Sequence, residues 1–298
     1  MNSPTVSVII PFYSEHPGKL LGAVKSVLSQ SLESIELIVV DDCSPVSAES
    51  ELKGLSDPRV KIITHAKNLM GGLARNTGVK NAKGQFVAFL DSDDEWHPEK
   101  LQTQWDFWKN NDCGPNVVLF CSCKIIEGDR SWIRPTRNLK PSESISQYLF
   151  SSRELIQTSG LFLKREMALK NKFDDLKRHQ DYQFCLALEK NGAKFDLVPE
   201  VLYLFFQTPK INDFEFSLLF LERYKDFFSK ESKKGFIELV VVRSMLKQRR
   251  FISALKMAFK YRSLSFFLDF IKISLKSILR IKLILKQTLN RFKIGLLL

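Results

Sequence analysis

Short runs of Val, Ile, Leu and Phe, apolar on both faces, alternate with helix-spaced patterns through the first third of the chain. The runs at 6–10, 37–40, 60–63 and 86–90 predict strands. Strands apolar on both faces belong to a sheet covered on both sides, as in parallel α/β architectures. The stretches between them, 18–29, 47–55 and 72–82, carry helical spacing. Repeated strand–helix–strand units with right-handed crossovers build an open α/β sheet. Further on, 117–126 and 160–163 predict strands, and 130–141 a polar, proline-punctuated loop. Positions 181–191 predict a helix stopped by Gly192, and 193–206 one or two closing strands. After Pro209, the last proline, the pattern becomes helical and basic.

The fourth run, Phe86-Val87-Ala88-Phe89-Leu90, leads straight into Asp91-Ser92-Asp93-Asp94. Burying unpaired carboxylates is costly, so these acids are expected past the strand's end, facing solvent or a cation. Two readings stand side by side. Carboxylates two residues apart can share a hard divalent ion that fills its remaining positions with water and substrate phosphates. Equally, Asp and Ser cap turns, and Pro98 with Glu99 reads as a first helical turn. Ligands of open α/β sheets sit beyond the C-terminal strand ends. That rule sends Pro11-Phe12-Tyr13, Asp41-Asp42-Cys43-Ser44 and Asp91-Ser92-Asp93 to one rim. Acids from two separate strands meeting there favour a binding site over a capped turn.

Composition narrows the class. With 298 residues, 44% hydrophobic and 26% charged, the chain is long enough for one large or two modest folded domains. Five cysteines without C-x-x-C spacing fit a reduced, cytoplasmic compartment. The apolar run at 6–10 is too short and lacks the basic lead of a signal peptide. No stretch reaches the roughly 18 uncharged apolar residues that a bilayer-spanning helix needs. The net charge of +12 is unevenly spread: residues 222–298 hold 19 Lys/Arg against 5 Asp/Glu, and the first 221 are close to neutral. Such asymmetry points to an anionic partner.

Five motifs in order then resemble family 2 glycosyltransferases. They are Val6-Ser7-Val8-Ile9-Ile10-Pro11-Phe12-Tyr13, Ser26-Val27-Leu28-Ser29-Gln30-Ser31, Glu36-Leu37-Ile38-Val39-Val40-Asp41-Asp42-Cys43-Ser44, Gly71-Gly72-Leu73-Ala74-Arg75-Asn76-Thr77-Gly78, and Leu90 to Trp96. The resemblance covers residues 5–205. It implies a GT-A fold: a Rossmann-like, mixed and mostly parallel sheet with flanking helices, here followed by a basic α-helical region. It also implies a catalytic domain over 1–208, a basic amphipathic helical region over 209–298, and inverting transfer from a nucleotide-sugar donor, most simply a UDP-sugar.

By the same resemblance, Asp42 matches the acid that hydrogen-bonds the uracil ring, with Pro11 and Tyr13 in the loop beside the base. Arg75 matches a nucleotide-binding position, Ser92 belongs to the same nucleotide-sugar site, Asp91 lies near the ribose, and Asp93, with Asp91, holds Mn²⁺ or Mg²⁺ at the diphosphate. Asp94 is left as a local cap. His179-Gln180-Asp181-Tyr182 resembles the motif that supplies the general base, which makes Asp181 that base. A helix N-terminus favours an ionised carboxylate there.

Three departures are visible: Ser14 in place of the commoner Asn, Cys43 in place of the usual Gly, and neither Arg nor His at Phe206-Gln207-Thr208. Other residues carry two readings. His179 reads as an exposed residue beside the helix start rather than a metal or acceptor contact. Trp96 either stacks on a sugar or packs under the next helix. Trp105 and Trp108 read as core, and Asp174 and Asp175 as solvated loop or acceptor side.

Within the basic region, 264–293 placed on a helix separates Lys272, Lys276, Arg280, Lys282, Lys286 and Lys293 from Leu264, Phe267, Ile271, Ile278, Ile281, Leu285, Leu289 and Phe292. Such a helix suits an anionic membrane surface or docking on the catalytic body. No nucleic-acid motif accompanies it. Many enzymes similar to this one build lipopolysaccharide, capsule or other surface glycans on lipid-linked acceptors, which implies a peripheral position at the cytoplasmic face of the inner membrane. Two rivals remain: a catalytically silent glycan- or membrane-binding protein on the same fold, and a sugar-phosphate nucleotidyltransferase. The second needs a Gly-rich basic loop after the first strand, whereas Pro11-Phe12-Tyr13-Ser14-Glu15 is followed by no glycine until Gly18.

Overall fold

The structure, a computed structural model, describes residues 3–207 and 213–261. They fall in two compact units, Met1–Pro209 and Lys210–Leu298. In the first unit, β1 (Val6–Phe12), α1 (Leu21–Leu28), β2 (Ile35–Asp41), α2 (Ala48–Glu51), β3 (Val60–Thr64), α3 (Met70–Asn81) and β4 (Phe86–Phe89) alternate. After them come β5 (Glu95–Trp96), α4 (Lys100–Asn110), β6 (Val117–Glu127), β7 (Arg130–Arg134), β8 (Phe162–Lys164), α5 (Arg165–Lys170), α6 (Gln180–Lys190) and β9 (Lys194–Phe206).

All nine strands form one mixed sheet in the order β3-β2-β1-β4-β8-β6-β9-β5, with β7 paired to β6. β3, β2, β1 and β4 are mutually parallel. β8 runs antiparallel to both β4 and β6, and β6 runs parallel to β9. The long β6–β9 pairing shifts register around Ser122, so 193–206 folds as one irregular strand.

Two differences from the sequence pattern have simple causes. Residues 130–134 form β7, an edge strand that the polar side chains disguise: it pairs along β6 on one side, and none of its residues is buried. Residues 158–160 form a 3₁₀ turn, and only 162–164 join the sheet.

Both sheet faces are covered, as the doubly apolar strands require. On one face Val6, Val8, Ile10 and Phe12 of β1 pack with Val24 and Val27 of α1 and with Leu37, Val39, Phe86 and Ala88. On the other, α3 lies so close to β1 that a Cβ on Gly78 would overlap the Ile9 side chain. There Phe173 stacks on Phe184 of α6 at 4.0 Å, and both meet Phe89 of β4 edge-on at 5.5 and 5.9 Å. This aromatic cluster fixes the start of α6 near the end of β4.

In the second unit, α7 (Phe214–Arg223) is capped by Asp213, whose Oδ1 accepts from the amides of Glu215 and Phe216, both at 3.0 Å. α8 (Lys230–Phe236), a π-turn over Ile237–Val242 and α9 (Arg243–Lys247) form one helical run, followed by α10 (Phe251–Lys260). The predicted helix at 264–293 lies outside the described residues.

Candidate active site

The C-terminal ends of β1, β2 and β4 meet at one rim. The loops after β1 and β2 are tied by a reciprocal pair: the Ser14 amide donates to Ser44 Oγ at 2.8 Å, and that hydroxyl donates to the Ser14 carbonyl at 2.9 Å. Asp41 is structural, its carboxylate accepting from the amides of Ser44 and Ala48 at 2.8 and 2.7 Å. Between Asp42 and Ser44 the backbone turns left-handed at Cys43, with φ 58°. That conformation explains why a glycine is expected there.

Asp42 is buried, and its two oxygens differ. Oδ1 accepts from the Leu69 amide at 2.8 Å and lies 2.7 Å from His65 Nδ1. Oδ2 is buried with no partner among the described residues. His65 Nε2 lies 2.9 Å from Thr77 Oγ1 on α3. Tyr13 is exposed at the same rim, and Pro11 is half-buried.

Arg75 reaches from α3 to the end of β4. It is buried, forms a close ion pair with Asp91, and donates to Gln180 Oε1 at 2.9 Å. Its guanidinium also lies over the Phe173 ring at 5.5 Å. Arg75 therefore holds Asp91 and the first residue of α6 together.

The three acids after β4 do not behave alike. Asp91 and Ser92 are half-buried and Asp93 is exposed, but Asp94 is buried. The expectations that all three face outward and that Asp94 is a local cap both fail. Asp94 Oδ2 accepts from Ser159 Oγ at 2.7 Å and Gln157 Nε2 at 3.2 Å, and Oδ1 from the Phe206 amide at 3.2 Å. Burial pushes its carboxyl well above the usual range, and the neighbouring Asp91 and Asp93 add to the effect. The hydroxyl of Ser159 also accepts from the Asp91 amide at 3.1 Å, and Thr158 Oγ1 donates to Asp91 at 3.2 Å. The 3₁₀ turn at 158–160 thus grips the acidic loop from below.

Trp96 underpins that turn. It is buried, its indole donates to the Ser159 carbonyl at 2.9 Å, and Lys100 Nζ lies 3.9 Å from its ring centre. Packing under the helix is its role, so the sugar-platform reading falls. Burial lowers Lys100 to about 8, and its ammonium donates to Gln104 Oε1 at 2.7 Å.

Asp181 is the second residue of α6 and half-buried. Burial raises its pKa to about 6; Asp91 adds to the rise, and Arg75 opposes it. Desolvation therefore outweighs the helix N-terminus, contrary to the expectation that the terminus would favour the charge. His179, at φ 62°, is half-buried and stacks on Tyr182 at 5.3 Å, and burial lowers it to about 3. It is not the exposed histidine expected. Asp174 is half-buried, its amide donating to Gln183 at 2.9 Å, and Asp175 is exposed.

Sequence reasoning missed His65, Thr77 and Ser159. His65 directly follows β3 and so belongs to the rim, which was its available signal. Ser159, by contrast, meets the acids across more than sixty residues of chain and left none. Among the described residues no three His, Cys, Asp or Glu side chains group as metal ligands.

Comparison with known proteins now gives this arrangement a family. The family model "Glycosyl transferase family 2" matches residues 7–172. Amylovoran biosynthesis glycosyltransferase AmsB of Erwinia amylovora is 32% identical over 212 residues, covering 68% of this chain and 69% of its own. The chain belongs to glycosyl transferase family 2 and is a transferase of that family. A 115-residue stretch is 42% identical to the Escherichia coli UDP-Glc:alpha-D-GlcNAc-diphosphoundecaprenol beta-1,3-glucosyltransferase WfgD, covering 37% of this chain and 44% of that one. Among solved structures, Staphylococcus aureus TarS 1–349 in complex with UDP superposes with a TM-score of 0.60 at 20% identity, over 88% of this chain and 82% of that one. The TarS complex with UDP-GlcNAc gives 0.58 at 18%, over 84% and 79%. The fold is GT-A.

Proposed function

We propose that this chain is an inverting, metal-dependent glycosyltransferase acting on a UDP-sugar, with a hydroxyl of a growing cell-surface glycan or lipid-linked glycan as acceptor. The observation that carries the reading is the join across the rim: buried Arg75 pairs with Asp91 and donates to Gln180 Oε1 at 2.9 Å, tying the start of α6, where Asp181 sits with its carboxyl raised to about 6 by burial, to the acidic loop. A base poised near neutral pH suits proton removal from an alcohol. In the proposed reaction Asp181 takes the hydroxyl proton as the acceptor oxygen bonds to the anomeric carbon. The bond from that carbon to the diphosphate oxygen breaks, and the diphosphate leaves with the electron pair. Asp42 reads the base beside Pro11 and Tyr13, Arg75 holds Asp91 near the ribose, and Ser92 belongs to the same nucleotide-sugar site.

Exposed Asp93, with Asp91, fits a Mn²⁺ or Mg²⁺ ion held by one or two carboxylates and otherwise by phosphate oxygens and water. Bound there, such an ion would offset charge on the departing diphosphate.

The UDP donor is supported by the UDP and UDP-GlcNAc complexes of TarS and by the UDP-Glc donor in the name of WfgD. The names of AmsB and WfgD support the glycan or lipid-linked acceptor. We assign catalysis to 1–208 and place the basic helical region, 209–298, against an anionic membrane surface at the cytoplasmic face. Its α10 exposes Phe251, Ile252, Leu255 and Phe259 beside Lys256 and Lys260, an amphipathic pattern suited to that surface. No helix of the described residues is long and apolar enough to cross a membrane.

The test is a panel of UDP-, GDP- and dTDP-sugars scored for Mn²⁺-dependent hydrolysis or transfer. UDP-sugars are expected to be used best, and Asp93→Ala to lose at least about a hundredfold, the scale of one lost transition-state charge contact. Full activity of Asp93→Ala or Asp181→Ala overturns the assignments.

A further inference from the structure

His65 lies between the rim and the sheet-facing helix, and its two ring nitrogens are both engaged. Nδ1 is 2.7 Å from Asp42 Oδ1, and Nε2 is 2.9 Å from Thr77 Oγ1. A carboxylate oxygen only accepts, so Nδ1 carries the hydrogen. The same Oδ1 also accepts from the Leu69 amide at 2.8 Å, so two donors fix one oxygen of the carboxylate. The other, Oδ2, is buried and has no partner among the described residues. A buried, unpaired carboxylate oxygen is costly, and a donor on a ligand would offset that cost.

We infer that His65, held by Thr77, is a positioning residue for nucleotide selection. It locks the Asp42 carboxylate so that Oδ2 alone faces the base, as an acceptor that cannot turn away. The inference rests on the nucleotide-binding reading of Asp42 proposed above. Its consequence is chemical. A base edge that offers a ring N–H, as uracil does, completes the pair. Cytosine presents a lone pair at the same ring position and meets repulsion. Discrimination between the two then depends on His65 as much as on Asp42. Either carboxylate oxygen accepts, so rotation alone keeps the preference, but a carboxylate that swings out to water no longer meets the base edge and loses it.

The experiment measures UDP and CDP binding by calorimetry in the presence of Mn²⁺, for the full chain and for His65→Ala, His65→Gln and Thr77→Val. The wild type is expected to favour UDP over CDP by at least about tenfold, and His65→Ala to weaken UDP binding by about tenfold while narrowing that ratio. His65→Gln restores an N–H donor toward Asp42 and is expected to recover most of the preference. Thr77→Val, which keeps the ring but removes its outer tether, is expected to fall between. A mere packing role would alter melting temperature without changing the UDP/CDP ratio. A wild-type preference that survives undiminished in His65→Ala, or in Thr77→Val should the alanine variant not fold, overturns the inference alone. A wild type with no preference for UDP overturns the uridine reading itself, and the inference with it.

Discussion

Titrating Asp181 through its raised pKa, then removing its charge with Asp181→Asn, tests the role assigned to it at two levels. Only the ionised carboxylate can take a proton. With a pKa of about 6, about one tenth of the molecules hold the base ready near pH 5 and about nine tenths near pH 7. The kcat/KM for the donor, which reports groups of the free enzyme, is expected to climb about tenfold between those points and then level. The asparagine variant, which is nearly isosteric, should lose about 10²- to 10⁴-fold, the usual contribution of a general base.

Stability moves the other way. The folded pKa lies above the ordinary 3.8, so the folded state holds this proton more tightly than the unfolded chain. The associated stabilisation is complete below about pH 4 and is lost as pH rises through about 6. The rise from 3.8 to about 6, at about 1.4 kcal/mol for each tenfold change in proton affinity, sets an upper bound near 3 kcal/mol. Partial exposure of the side chain reduces that to about 1–2 kcal/mol. Urea unfolding near pH 7.5 should therefore show Asp181→Asn more stable than the wild type by that amount, with the difference gone near pH 4. A wild-type kcat/KM that stays flat between pH 5 and 7, or an active asparagine variant, refutes the reasoning.

Two further perturbations follow from the same geometry. Ser159→Ala removes the hydroxyl shared by the Asp91 amide and Asp94; it should cost about 1–3 kcal/mol in urea unfolding and raise the Mn²⁺ concentration needed for half-maximal rate. Wild-type values for both would show that the 158–160 turn does not hold the acidic loop. Removing 250–298, which takes away α10 and the basic stretch after it, should release the protein from anionic vesicles, and undiminished vesicle binding by the shortened chain counts against membrane contact through that region.

The strands β1, β2 and β4 were legible because a doubly buried strand must be apolar on both faces, and that leaves a continuous run. β7 was not, since an edge strand with no buried residue carries no such mark. The rim was legible for a related reason: it follows from where strands stop. Which acid turns inward was not. Asp91, Asp93 and Asp94 look alike in the chain, and the choice of Asp94 is made by Ser159, Gln157 and the Phe206 amide, all remote in sequence. Burial of Asp181 was hidden likewise, because the helix start is visible locally and the packing around it is not. The role of Trp96 was settled by a bond to Ser159 that no spacing announces.

The contacts that assemble the site are long in sequence. Arg75 meets Gln180 across 105 residues, and Asp94 meets the Phe206 amide across 112. Contacts of that separation form late, because loop closure must be overcome before they contribute. During synthesis, the strands up to β4 emerge early and can pair among themselves. The Asp94 tie has no partner until Phe206 has left the ribosome. Four of the nine strands can therefore pair before the residues that complete the acidic loop have been made, and that loop reaches its final set of contacts only when nearly the whole first unit is present.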